Sequence, residues 1–245
     1  MILCGRDNVA MGRRIDLNAD LGEGGPDDAA LVAVVTSANV ACGFHAGDES
    51  TMRAACRQAI RHGAAIGAHV GYRDREGFGR RSLAVPADVI EAEAVEQIAT
   101  LQACANDEGA AVTYLKPHGA LYHRASADPD CAAALVAAAT HSGGIVAVLC
   151  LPGSTLLAQA DAAGLDAVTE AFADRGYQAD GSLVPRGVTG DLLDEDDAVR
   201  QAAAIATTGE ARSLCLHGDT PSALRLAVRI AGELRTRGIE LASFT

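Results

Sequence analysis

DESTMRAACRQAIRHG (48–63), followed at once by AAIGAH (64–69), decides the fold. Asp48 is a good helix N-cap, Gly63 a good residue just past a helix end, and Met52, Ala55, Cys56, Ala59 and Ile60 recur at helical spacing to form one apolar stripe. Arg53, Arg57 and Arg61 fall on the other face, which suits solvent. The apolar run that follows reads as a buried parallel strand. A capped amphipathic helix feeding such a strand is half of a β/α unit.

The same alternation extends in both directions. Apolar runs near 13–18, 38–42, 111–116, 144–151, 166–172, 212–217 and 239–243 read as further strands, and helical patterns cover 86–107, 128–141, 153–163, 194–208 and 220–237. Pro86, Pro129 and Pro221 stand near helix starts, and Gly109, Gly164, Gly209 and Gly238 just past helix ends. There is no Pro/Ser-rich linker, low-complexity stretch or clear internal repeat, so residues 1–245 are expected to form a single α/β domain, a parallel sheet wrapped by helices, at a length common for one barrel.

Composition narrows the function. Hydrophobic residues make up 49% of the chain and aromatics 3%, so Ala, Val, Leu and Ile must fill the core. Twenty basic against 32 acidic residues give a net charge of −12, which repels nucleic acid and anionic lipid. No segment approaches the roughly 20 apolar residues needed to span a bilayer. MILCGRDNVAMGRRIDLN (1–18) also lacks the apolar run of a signal peptide, so a cytoplasmic location with no membrane partner is expected. Seven cysteines without a CxxC pair argue against a zinc ribbon or a disulfide framework, and most read as small core residues.

The polar residues fall at strand ends. Asp16, Asn18 and Asp20 end the first strand, Asn39 and His45 follow the second, His69 ends the third, Lys116 and His118 the fourth. Glu170, Asp174 and Arg175 follow the sixth, and His217 and Asp219 the seventh. In a parallel barrel these ends open on one face, so the groups should converge on one mouth. Asp16, Asp20, His45, His69, Lys116, His118 and His217 are the candidates for acid–base work; Asn18, Asn39, Arg80, Arg81, Asp174, Arg175 and Asp219 are the candidates for holding substrate or phosphate. Bland alternatives stand beside them: Asp48 and Asp219 as helix caps, Arg80 and Arg81 paired to surface acids, Asp174 with Arg175 as a structural pair, and His62 and His141 as helix-end cations. Asp20, His45 and His69 form a weak divalent-metal candidate because their spacing is wide. The chain has no GxxxxGK[ST] loop, GxGxxG fingerprint or GxSxG elbow, which favours acid–base or metal-assisted chemistry over a serine or cysteine nucleophile.

Seven ordered motifs, DLNADLGEG (16–24), NVACGFHAGD (39–48), GAHVGYRD (67–74), GFGRRS (77–82), LKPHGALYH (115–123), FADRGY (172–177) and LCLHGD (214–219), resemble the LamB/YcsF family from Ile15 to Gly238. The resemblance implies an irregular β/α barrel similar to the glycoside hydrolase/deacetylase barrel. It also implies the role of the A component of an ATP-dependent 5-oxoprolinase, which with separate B and C subunits opens 5-oxo-L-proline to L-glutamate. ATP would be a cosubstrate, with Mg as its accompanying divalent metal. The chain departs from the family pattern in a shorter stretch after Glu23, in the lack of an extra hairpin between Arg186 and Ser213, and in His123, where asparagine is usual. Two rival readings are a deacetylase-like, metal-dependent hydrolase acting alone and a non-catalytic subunit that binds 5-oxoproline.

Overall fold

Helix and strand alternate along the computed structural model, which describes residues 13–218 and 222–245. The order is β1 (Arg14–Leu21), α1 (Asp28–Leu31), β2 (Ser37–Ala41), α2 (Glu49–His62), β3 (Ala65–Val70), α3 (Ala87–Asp107), β4 (Val112–Pro117), α4 (Gly119–Ala127), α5 (Pro129–Ser142), β5 (Ala147–Cys150), α6 (Thr155–Ala162), β6 (Asp166–Phe172), α7 (Glu195–Thr208), β7 (Ser213–Leu216), α8 (Ala223–Thr236) and β8 (Glu240–Leu241). Asp48 caps α2 as its sequence predicts, accepting from Thr51 N while the Thr51 hydroxyl accepts from Asp48 N, and Gly63 ends the helix at φ +71°. Two helices carry no legible start signal: α1 is a single turn, and α4 begins at Gly119 behind a histidine whose side chain caps nothing.

All described pairings between named strands are parallel, and β1 pairs with both β2 and β7, so β1 through β7 close into a barrel. The last expected strand does not join this ring. Only Glu240 and Leu241 are extended, pairing with Arg14 and Ile15 at the start of β1. Beyond them Phe244 packs on Tyr114 with ring centroids 5.1 Å apart, beside Ala147, Leu149 and Val168, and closes the barrel floor. The aliphatic core lies between barrel and helices, as the scarcity of aromatic residues requires. The six cysteines among the described residues are free and buried. Among those residues no helix is long and apolar enough to cross a membrane.

Because side chains alternate along a strand, every second residue enters the barrel. Those residues are unusually polar here: Asp16, Asn18, Asp20, Asn39, His69, Lys116, Glu170 and Ser213 are all buried. A Cβ on Gly67 would lie 2.0 Å from the Tyr114 ring, so glycine there lets Tyr114 cross the interior and donate its hydroxyl to Asn39 Oδ1 at 2.7 Å.

Candidate functional site

The interior forms a ladder that rises from the floor to the C-terminal mouth. Asp16 accepts from Thr36 and Ser37, at 2.6 Å each, and from Ser213. Burial pushes its carboxyl up to about 6 despite those three hydroxyl donors. One level higher, Asn18 Nδ2 donates to Glu170 Oε1 at 2.9 Å and to Ser213 Oγ at 2.7 Å, while Asn39 Nδ2 donates to Asn18 Oδ1 at 2.6 Å and Asp20 Oδ1 at 2.8 Å. Lys116 Nζ then lies 3.0 Å from Asp20 Oδ1, 2.9 Å from Glu170 Oε1 and 3.0 Å from Cys215 Sγ. Burial works against its charge, but Asp20, Cys215 and Glu170 outweigh it and hold the ammonium well above its ordinary value. Tyr122 donates to the other Glu170 oxygen at 3.0 Å.

Above this ladder opens a cavity of about 630 Å³, within the usual range of roughly 300–1,000 Å³ for small-molecule sites. Asp20, His69, Lys116, His118 and His217 line its depth, and Arg80, Arg175 and Arg186 its rim. His217 is held by Asp174, whose oxygens lie 3.0 and 3.1 Å from Nδ1 and which also accepts from the His217 backbone N–H at 3.0 Å. Burial opposes the imidazolium, yet the Asp174 charge wins and raises His217 above its ordinary value. Arg175 is held to the carbonyls of Val184 and Asp191, and burial followed by repulsion from Arg186 lowers it. Converging guanidinium groups of this kind suit an anionic ligand.

Beside the cavity sit three histidines and an acid. Glu23 Oε1 lies 3.1 Å from His45 Nε2, 3.3 Å from His118 Nδ1 and 3.6 Å from His69 Nε2. These four side chains make up the group among the described residues whose ligand atoms are close enough to surround one ion. Two of the three metal candidates expected from sequence, His45 and His69, belong to this group. Asp20 turns Oδ1 to Lys116 at 3.0 Å and keeps Oδ2 3.4 Å from His69 Nε2, while Glu23 and His118 complete the cluster around the rings.

The sequence candidates separate clearly. Asp20, His69, Lys116, His118, His217, Arg80 and Arg175 meet at the cavity. His45 lies behind His118, stacked on it at 3.8 Å. Asp16 is not at the mouth, because β1 runs on to Leu21 and leaves Asp16 on the floor. Asn18 and Asn39 sit below Lys116 as hydrogen-bond relays, and Asp174 positions His217. Arg81 is drawn away into a pair with Asp74, and Asp219 lies outside the described residues. Sequence reasoning misses Glu23, Tyr122, His123 and Arg186 as site residues, and places Glu170 at a strand end without a role. For Glu170 a signal exists: it alternates with Phe172 on β6, which sends both inward.

A closed parallel barrel with a buried lysine–carboxylate floor, a histidine–aspartate pair and a cationic rim is the frame of a β/α-barrel enzyme with its site at the strands' C-terminal mouth. The chain belongs to the LamB/YcsF family, whose profile matches residues 15–245. It is similar to the A component of 5-oxoprolinase from Streptomyces coelicolor, 52% identical over 94% of this chain and 99% of that one. The same protein of Nocardia farcinica is 48% identical over the same shares. The lactam utilization protein of Thermus thermophilus superposes with a TM-score of 0.86 at 35% identity, over 94% of this chain and 100% of that one. A peptidoglycan N-acetylglucosamine deacetylase domain from Eubacterium rectale shares the fold alone, with a TM-score of 0.56 at 10% identity over 96% of this chain and 89% of that one.

Proposed function

We propose that this chain supplies the lactam-opening site of an ATP-dependent 5-oxoprolinase and works with B and C subunits to convert 5-oxo-L-proline to L-glutamate. The observation that carries this reading is Lys116 held charged between Asp20 and Glu170 at the foot of a cavity whose rim bears Arg80, Arg175 and Arg186. The names of its relatives point the same way.

A five-membered lactam is a stable amide, and ATP makes its opening favourable. The terminal phosphoryl group of ATP passes to the amide oxygen and leaves ADP. Water then adds to the activated carbon, the ring C–N bond breaks, and phosphate is lost after a second water completes the hydrolysis. The rim arginines hold the phosphoryl oxygens or the substrate carboxylate, and Lys116 faces the negative charge that builds on the reacting oxygen. His217, with Nδ1 fixed by Asp174, takes a proton from water at Nε2 and returns it to the departing ring nitrogen.

The test is release of ADP and glutamate from 5-oxoproline and ATP, by the chain alone and with its B and C subunits. Turnover by the combination, reduced at least 100-fold by His217→Ala, is the expected result. Absence of turnover in every combination overturns the reading, and ATP-independent hydrolysis by the chain alone would favour the solitary hydrolase instead.

A further inference from the structure

Two backbone carbonyls determine where the hydrogens sit on two facing histidines. His69 Nδ1 lies 3.2 Å from the Lys116 carbonyl oxygen, and His118 Nε2 lies 2.8 Å from that of Phe78. A carbonyl oxygen only accepts, so each of those nitrogens carries the hydrogen. In the neutral rings His69 Nε2 and His118 Nδ1 are then bare, and they face each other at 3.0 Å. Glu23 Oε1 closes the triangle at 3.6 Å from the first and 3.3 Å from the second. Three lone-pair donors crowd into a pocket where the side chains are at most 6% exposed. With no positive charge among them they repel, and burial makes that repulsion costly.

We infer that Glu23, His69 and His118 form a binding site for a divalent transition-metal ion of the zinc or cobalt type. Their separations of 3.0, 3.3 and 3.6 Å bracket the edge of about 3.3 Å expected for a tetrahedral ion with bonds of about 2.0–2.1 Å. The two rings stand at 90° to each other, so their lone pairs approach a common point from different directions. Two imidazoles with one carboxylate suit zinc, cobalt or iron better than the oxygen-seeking magnesium. A ring N–H tied to a backbone carbonyl is also the usual outer support of a metal-binding histidine.

The surrounding chain is bent to this arrangement. Phe78 is the one non-glycine residue of positive φ among the described residues, at +54°, and its carbonyl receives His118. Gly79 follows, where a Cβ would come within 2.8 Å of the His118 ring.

His45 plays a different part. Its ring lies parallel to His118, with 5° between the planes at 3.8 Å, so its lone pairs run alongside those of His118 instead of converging with them. Through Nε2, 3.1 Å from Glu23 Oε1, it holds the carboxylate in place.

Metal uptake is measured directly on the purified full chain, so its failure leaves the 5-oxoprolinase reading standing. After removal of metals with a chelator, titration with Co²⁺ or Zn²⁺ should saturate at one equivalent, and the cobalt form should show the intense visible bands of a four-coordinate ion. Glu23→Gln and His118→Asn should each weaken binding at least tenfold, whereas His217→Ala, in the same cavity but outside the triangle, should leave it unchanged. The wild-type titration needs no variant, so a misfolded substitution does not remove the test. Absence of saturable uptake by the wild-type chain, or uptake indifferent to both ligand substitutions, overturns the inference and leaves a shared proton as what the triangle holds.

Discussion

Lys116 Nζ bridges Asp20 Oδ1 at 3.0 Å and Glu170 Oε1 at 2.9 Å, joining β4 to strands on two other sides of the barrel. Breaking a buried ion pair by removing one partner strands the remaining charges, at a cost of roughly 3–5 kcal/mol. Lys116→Met should therefore destabilise the chain by about that amount in denaturant unfolding. The double variant Lys116→Met with Glu170→Gln should recover part of the loss, because the second change removes a stranded carboxylate.

The Asp174–His217 pair makes a prediction about pH. Asp174 raises His217, so the acid limb of kcat/KM lies higher than a free imidazole would place it. Asp174→Asn removes that support: the acid limb should move to lower pH and the plateau fall by about 10²- to 10⁴-fold. A pH–rate profile of the reconstituted enzyme checks this, and an unmoved limb would take His217 out of the proton transfer.

Asp16 sets a pH dependence of stability. Its folded value of about 6, against an ordinary 3.8, means that the folded chain keeps this proton longer than the unfolded chain does. Stability from this group is therefore greatest below about pH 4 and declines by roughly 3 kcal/mol as pH rises to about 6, then stays level. Asp16→Asn, which mimics the protonated form, should abolish that decline in unfolding free energies measured between acid and neutral pH.

Gly67 tests the barrel interior. A methyl there collides with Tyr114 and forces its ring off Asn39. Gly67→Ala should cost about 1–3 kcal/mol by overpacking, seen as a lowered Tm.

The two neighbouring arginines of the 77–82 loop should behave differently. Arg80 and Arg186 line the cavity, while Arg81 is paired with Asp74. Arg80→Ala should raise KM for the anionic substrate about tenfold with a smaller change in kcat, and Arg81→Ala should leave both near their starting values.

Much of this site is legible before any fold exists. Lys116, His118, His69 and His217 each follow an apolar run, and a parallel barrel sends all such ends to one face. Asp16 misleads because strand ends are hard to place from sequence, and the further residues of β1 put it on the floor instead of at the mouth. Glu23 escapes notice because it lies in a glycine-rich loop with no periodicity to aim it. Arg186, on the 176–193 excursion, lacks the same guide.

Local chemistry in the chain sufficed for the alternation, the helix caps and the identity of most polar groups, since periodicity and capping depend on residues a few positions apart. Only the folded barrel decided that seven strands close, that Phe244 seals the floor, that Lys116 is shared by Asp20 and Glu170, and that Glu23 meets His69 and His118. Contacts of that kind join residues far apart in the chain, as Asn18 and Glu170 are at 152 positions, and they arise from strand register and loop path, which no short stretch of residues encodes.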